Sequence, residues 1–236
     1  MLAAMRESVA EGRRRQGWTR SGLTGDEARR FAAAEGRTLG GDLVFRVQRD
    51  ALAVAGLNAA MGRIVAAPTA GSCGILPAVL LNAAEERGAS EEAVVDALFA
   101  AAGVGLVIAR RASLSGAKHG CQAECGAASA MAAAAAAQAA GGAPRVVEHA
   151  AALALKNSLG LSCDPVAGLV EVPCVKRNAL FALHALGACN MALAGIESRI
   201  PFDEVADALR ETGELMSPLL RESAQGGLAQ TASALA

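Results

Sequence analysis

Between Met131 and Gln138 the chain carries six consecutive alanines, and two more follow at Ala139 and Ala140. Alanine has the highest intrinsic helix propensity, and its methyl group lets a neighbouring backbone approach more closely than Leu or Phe allows. A chain with this segment at its middle is therefore constrained to helices packed at short range. The rest of the sequence agrees: hydrophobic residues make up 53% but aromatics only 3%, and there are 26 glycines.

Helical periodicity recurs along the chain. Met1–Gln16 reads as an amphipathic helix or partly ordered lead-in, within a short N-terminal stretch of about residues 1–21. Thr24-Gly25-Asp26-Glu27 reads as a helix cap with an acidic first turn, and Asp42–Met61 as a helix. Ser90, followed by Glu91 and Glu92, predicts a capped helix over Val94–Arg110 that is largely buried. Pro144 ends the alanine-rich helix, and Glu148–Leu159, Lys176–Gly195 and Asp203–Met216 continue the series. No strand series appears. The expected fold is all-α, in one domain spanning 1–236.

Charge narrows the class of partner. Lys plus Arg total 22 against 23 Asp plus Glu, and no basic run interleaves with aromatics, so nothing supplies a phosphate-neutralising surface for nucleic acid. The opening residues lack the apolar core of a secretory signal, which predicts a cytoplasmic protein. The apolar stretches are alanine-dominated or broken by Pro68, Gly71 and Gly74, so no membrane span is expected. In a reducing compartment the six cysteines are ligands or core thiols rather than disulfides.

Three turn-rich loops interrupt the helices: Ala66–Gly74, Ser113–Gln122 and Leu161–Gly168, the last followed closely by Val172-Pro173-Cys174. Cys121, Cys163 and Cys174 sit in or beside them. Glycine-rich backbone wraps a metal closely and aims N–H groups at sulfur, which favours ligation. Neither ferredoxin nor zinc spacing is present, so buried thiols remain the alternative.

The segments PTAGSCGILPA from Pro68, SLSGAKHGCQAECGAASAMAAAA from Ser113 and KNSLGLSCDPVAGLVEVPCVKRNA from Lys156 resemble the iron-sulfur L-serine dehydratases, specifically their α-type catalytic part. GLTGDEA, SRIPFDEV and RESAQGGLA extend the similarity from about Gly22 to near the end. The resemblance implies a 4Fe-4S cluster held by Cys121, Cys163 and Cys174, with one iron left open for L-serine, and a β-type chain or domain, a homo-oligomer, or both, as partners. Thr69, Gly71 and Ser72 are the expected cradle for the substrate carboxylate. Asn157 and Asn178, with Lys156, Lys176 and Arg177, flank the cysteine loops as candidates for substrate binding or charge balance. His119 and Lys156 are candidates for proton handling, but no residue stands out as the base. Cys73, Cys125 and Cys189 are read as packing residues, and His149 and His184 as structural. The competing functions are an L-cysteine desulfidase and a non-catalytic, cluster-bearing or redox-sensing subunit.

Overall fold

The computed structural model describes residues 1–236 and is helical throughout, without a β-sheet. In chain order the helices are α1 (Leu2–Arg14), α2 (Glu27–Ala32), α3 (Gly41–Ala59), α4 (Ile75–Arg87), α5 (Glu91–Arg111), α6 (Gly116–His119), α7 (Ala127–Ala139), α8 (Pro144–Lys156), α9 (Cys174–Leu193), α10 (Phe202–Leu215) and α11 (Ala232–Leu235). The all-α expectation is borne out.

Helix α7 holds the alanine run and lies at the centre, with every residue but Gln138 buried. α4, α5, α8 and α9 all pack on it. Four helices converge on one backbone because methyl side chains leave room on every face; a Leu-rich helix would hold them further off. Around this centre α3 packs on α4 and α9, and α1 on α3. The N-terminal lead-in is thus an ordered helix that buries Leu2, Met5 and Val9. Gly12 makes the approach to α3 possible, because a Cβ there would collide with the Ala53 carbonyl.

Buried carboxylates tie the periphery down. Asp50 in α3 is 1% exposed and accepts from Arg13 at 2.7 and 2.6 Å, Arg49 at 2.9 Å and Asn82 at 2.8 Å. Burial pushes its pKa upward, but these donors outweigh it and hold the group below the usual range. Glu171 accepts from the hydroxyls of Thr19, Ser21 and Thr24, which fastens the segment before α2 to the loop before α9. Thr24 is consequently not a helix cap: its hydroxyl serves Glu171, and Asp26 precedes α2 with a left-handed φ of 61°.

Helix α5 departs from expectation. Ser90 caps it as predicted, accepting from Ala93 N–H at 3.2 Å. Only one face is buried, however: Val94, Ala97, Ala101, Gly105 and Ile108. Apolar residues encircle this helix, whereas its neighbours α7, α10 and α4 leave its opposite side uncovered. By length and composition it is also the one helix apolar enough to cross a membrane, a property that the sequence pattern did not single out.

Filling the space around α7 should be costly. Ala134→Leu, at a fully buried position, is expected to destabilise the fold by about 1–3 kcal/mol through overpacking, read as a lower midpoint in chemical denaturation. An unchanged midpoint would show that the surrounding helices are not closed on this backbone.

Candidate metal centre

The three loops meet at the N-terminal ends of α7 and α9. Residues Gln122–Gly126 form a wide π-type turn leading into α7. Such turns splay side chains that an α-helix would distribute around its axis, and they recur at functional sites. Gln122 anchors the turn, donating to the Leu209 carbonyl at 3.3 Å and accepting from Gly160 N–H at 2.9 Å. Cys121, Glu124 and Cys125 are carried on this support.

The ligand atoms of Cys121, Glu124 and Cys163 lie within 4.8 Å of one another, a group able to hold a metal ion. Cys121 Sγ and Cys125 Sγ are 3.4 Å apart and share a hydrogen bond. The negative charge of this set settles on Cys121, whose pKa is driven well down by hydrogen bonds with Cys125 and Cys163, against burial and with help from the Arg177 guanidinium. Cys125 and Cys163 are pushed up correspondingly, chiefly by their hydrogen bonds with Cys121. Of the three thiols, Cys121 is the one whose ionisation its surroundings favour. Cys174, half-buried in the first turn of α9, lies outside the tightest group, yet it feels the charges of Cys121 and Glu124; burial first, then those charges, raise it to about 12.

Glycine makes the cluster of side chains possible. A Cβ on Gly116 would stand 3.0 Å from Cys163 Sγ and 3.1 Å from Glu124 Oε2, and one on Gly71 would stand 3.3 Å from the same carboxylate oxygen. The backbone of two loops thus presses directly on sulfur and carboxylate. Glu124 is raised to about 7, first by burial and then by the charges of Cys121 and Glu222; hydrogen bonds from Thr69 and Gly116 N–H partly oppose this.

The remaining expected residues divide by position. Thr69 and Ser72 bond to each other at 3.0 Å, Ser72 is fully buried, and Thr69 also reaches Glu124. Asn178 accepts from Gly74 N–H at 2.8 Å and donates to the carbonyls of Gly71 at 2.8 Å and Cys174 at 2.9 Å, stitching the first loop to α9. Arg177 is held by Asp164 at 2.9 Å and the Ser162 carbonyl at 3.0 Å. Three others are directed elsewhere. Asn157 is exposed and bonds back to Leu153, Lys156 donates to the Ser198 carbonyl at 2.6 Å, and His119 packs on Gly213 of α10. Lys176 pairs with Glu27 near the surface.

Cys189 lies mid-α9 beside a cavity of mixed lining that includes Leu43, Leu193, Glu86 and Arg87, and Cys73 packs with Val9 and Val54. At the centre Glu124 escaped sequence reading, and Cys125, within a helical turn's reach of Cys121 but read as a packing residue, stands directly against it. The one signal for them was spacing: three and four residues past Cys121, each is about one helical turn on and shares its face.

Fold and site together define a helical protein whose glycine-rich loops gather thiols and a carboxylate into a group suited to a thiophilic metal. Residues 1–229, including those before Gly22, match the model of the family described as serine dehydratase alpha chain, and the chain belongs to that family. It is 50% identical to the probable L-serine dehydratase, alpha chain, of Bacillus subtilis (strain 168), over 98% of this chain and 77% of that protein. Identity to the L-serine dehydratase, alpha chain, of Peptoniphilus asaccharolyticus is 46%, covering 84% of this chain and 68% of that one. The L-serine dehydratase TdcG of Escherichia coli (strain K12) is 46% identical over 76% of this chain, a match that spans only 40% of that protein.

Asn178 and Asn157 make a direct test of the geometry. Asn178→Ala removes three buried hydrogen bonds and is expected to destabilise by about 2–4 kcal/mol, whereas Asn157→Ala should stay within about 0.5 kcal/mol. Equal effects in denaturant titrations would contradict the stitching of loop to helix.

Proposed function

We propose that this chain eliminates water from L-serine, giving pyruvate and ammonia after hydrolysis of the released enamine, and that it does so with a 4Fe-4S cluster. The observation that carries the reading is the meeting of Cys121, Glu124 and Cys163 in a chain of the serine dehydratase alpha chain family. The donor set fits the cofactor: soft sulfur ligands, one of them with its pKa lowered by hydrogen bonds from its neighbours, lie beneath glycine backbone. Cys121, Cys163 and Cys174 would hold it. When bound, its iron without a protein thiolate supplies a Lewis acid for the departing hydroxyl.

The chain's own residues do the rest. Glu124 is the base: its carboxylate lies among the ligand atoms, half-buried, with a pKa raised to about 7, so it ionises near neutrality and is basic enough to take the weakly acidic α-proton. Thr69 and the Gly116 N–H orient that carboxylate. The loop of Thr69, Gly71 and Ser72 lies against Glu124 and receives the substrate carboxylate, with Asn178 holding it in register. Arg177 balances the charge of the thiolates. The names of the relatives as alpha chains support a β-type chain as partner.

The test is anaerobic cluster reconstitution, with and without a β-type chain, followed by pyruvate release from L-serine. Cys163→Ser should lose iron and turnover together, and Cys189→Ala should keep both. Glu124→Gln should retain iron while kcat falls by about 10²–10⁴; loss of iron instead would make Glu124 a ligand. Sulfide from L-cysteine with no pyruvate from serine would assign the chain to desulfidation. A cluster-loaded protein without turnover, even with its partner present, would make it a non-catalytic subunit.

A further inference from the structure

Two basic side chains and an imidazole stand together on the outer side of α6, and no acid joins them. Ala117, Lys118, His119, Pro218 and Arg221 line an open cavity of about 420 Å³. Neither Lys118 nor Arg221 pairs with a carboxylate, unlike Arg177, which Asp164 holds, and Arg111, which Asp207 holds. The acids nearby are engaged elsewhere. Glu214 of α10 lies near His119 but is met by Arg210 at 3.3 Å, and the charge of Glu222 is felt by Cys163 and Glu124.

The fold holds these donors in place. Arg221 donates to the Lys118 carbonyl at 3.1 Å, which fixes the guanidinium against α6 and leaves its other N–H groups free. His119 is clamped by α10, since a Cβ on Gly213 would collide with it. Its Nδ1 is sealed from solvent and has no partner in the fold, so the ring meets a ligand through Nε2. An anion there selects the tautomer that carries its proton on Nε2. Lys118 is exposed, and its flexible stem lets the ammonium close over the mouth.

We propose that this cavity binds a phosphate-class oxyanion, either free phosphate or the terminal phosphate group of a small metabolite. Two fixed positive charges exclude a cation. Three separate donors suit a group with three or more oxygens, whereas the two coplanar oxygens of a carboxylate would be met by the Arg221 fork alone. The place of the cavity gives binding a consequence. Cys163 N–H donates to the Leu220 carbonyl at 2.8 Å and Glu222 N–H donates to the Cys163 carbonyl at 2.6 Å, so Arg221 sits inside the segment that holds Cys163. Gly116 of α6 stands against the sulfur of the same residue. An anion bridging Lys118 and Arg221 ties together the two backbone segments that enclose Cys163, and it needs neither cluster nor turnover to do so.

Isothermal titration calorimetry of inorganic phosphate into the full chain, at constant ionic strength in chloride, tests this. One phosphate per chain should bind with a dissociation constant below about 1 mM. Lys118→Gln and Arg221→Gln should each weaken it at least about tenfold, and His119→Phe, which keeps the packing on Gly213, should weaken it less. Arg14→Gln, at an exposed position of α1, should leave it unchanged. Saturating phosphate should also raise the wild-type denaturation midpoint but not that of Arg221→Gln. Methyl phosphate binding as tightly would identify a terminal phosphate group as the ligand, and binding of inorganic phosphate alone would identify the free ion. No saturable heat up to about 20 mM phosphate overturns the proposal, as does binding that both glutamine variants retain. Displacement of phosphate by L-serine also overturns it, by placing the anion at the Thr69–Ser72 loop, and acetate competing equally would make this a carboxylate site instead.

Discussion

Everything else in the molecule depends on how closely four helices can approach α7. Its methyl side chains set those distances, and its first residue directly continues the wide turn that bears Cys121, Glu124 and Cys125. A displacement of α7 would carry two thiols and a carboxylate with it. The alanine run is therefore as much a part of the site as the cysteines are, although none of its side chains has any chemistry.

Within the site the governing quantity is charge. Three thiols and a carboxylate in a small, largely buried volume cannot all ionise. The arrangement resolves this by placing the charge on Cys121, near Arg177, and leaving Glu124 poised near neutrality. Glycine at 71 and 116 permits the crowding, and Asn178 holds the two loop segments together from behind. Removing either kind of support would relax the site without touching a ligand. The C-terminal segment contributes too: Cys163 exchanges backbone hydrogen bonds with Leu220 and Glu222, and Asp164 accepts from Leu228 N–H. A loop distant in sequence from α7 is thereby pinned over it.

The helical class, most element boundaries and the three cysteine-bearing loops were legible before any coordinates, because helix periodicity, Pro and Gly punctuation and cap residues are local signals. Ser90 illustrates this, since its capping role needs only the three residues after it. Thr24 illustrates the limit: its hydroxyl is claimed by Glu171, 147 residues away, and no local rule anticipates that competitor.

What the amino-acid sequence determined by itself, then, is the set of helices, the close packing around an alanine-rich centre and the positions where thiols meet flexible backbone. These follow from propensity and side-chain volume, which each residue carries with it. Tertiary structure alone decided which side chains share a charge. It brought Glu124 and Cys125 beside Cys121 and Cys163, turned Lys156 and Asn157 away, and left one flank of α5 open. Proximity between residues far apart in the chain is a property of the packed whole, and both pKa and exposure depend on it.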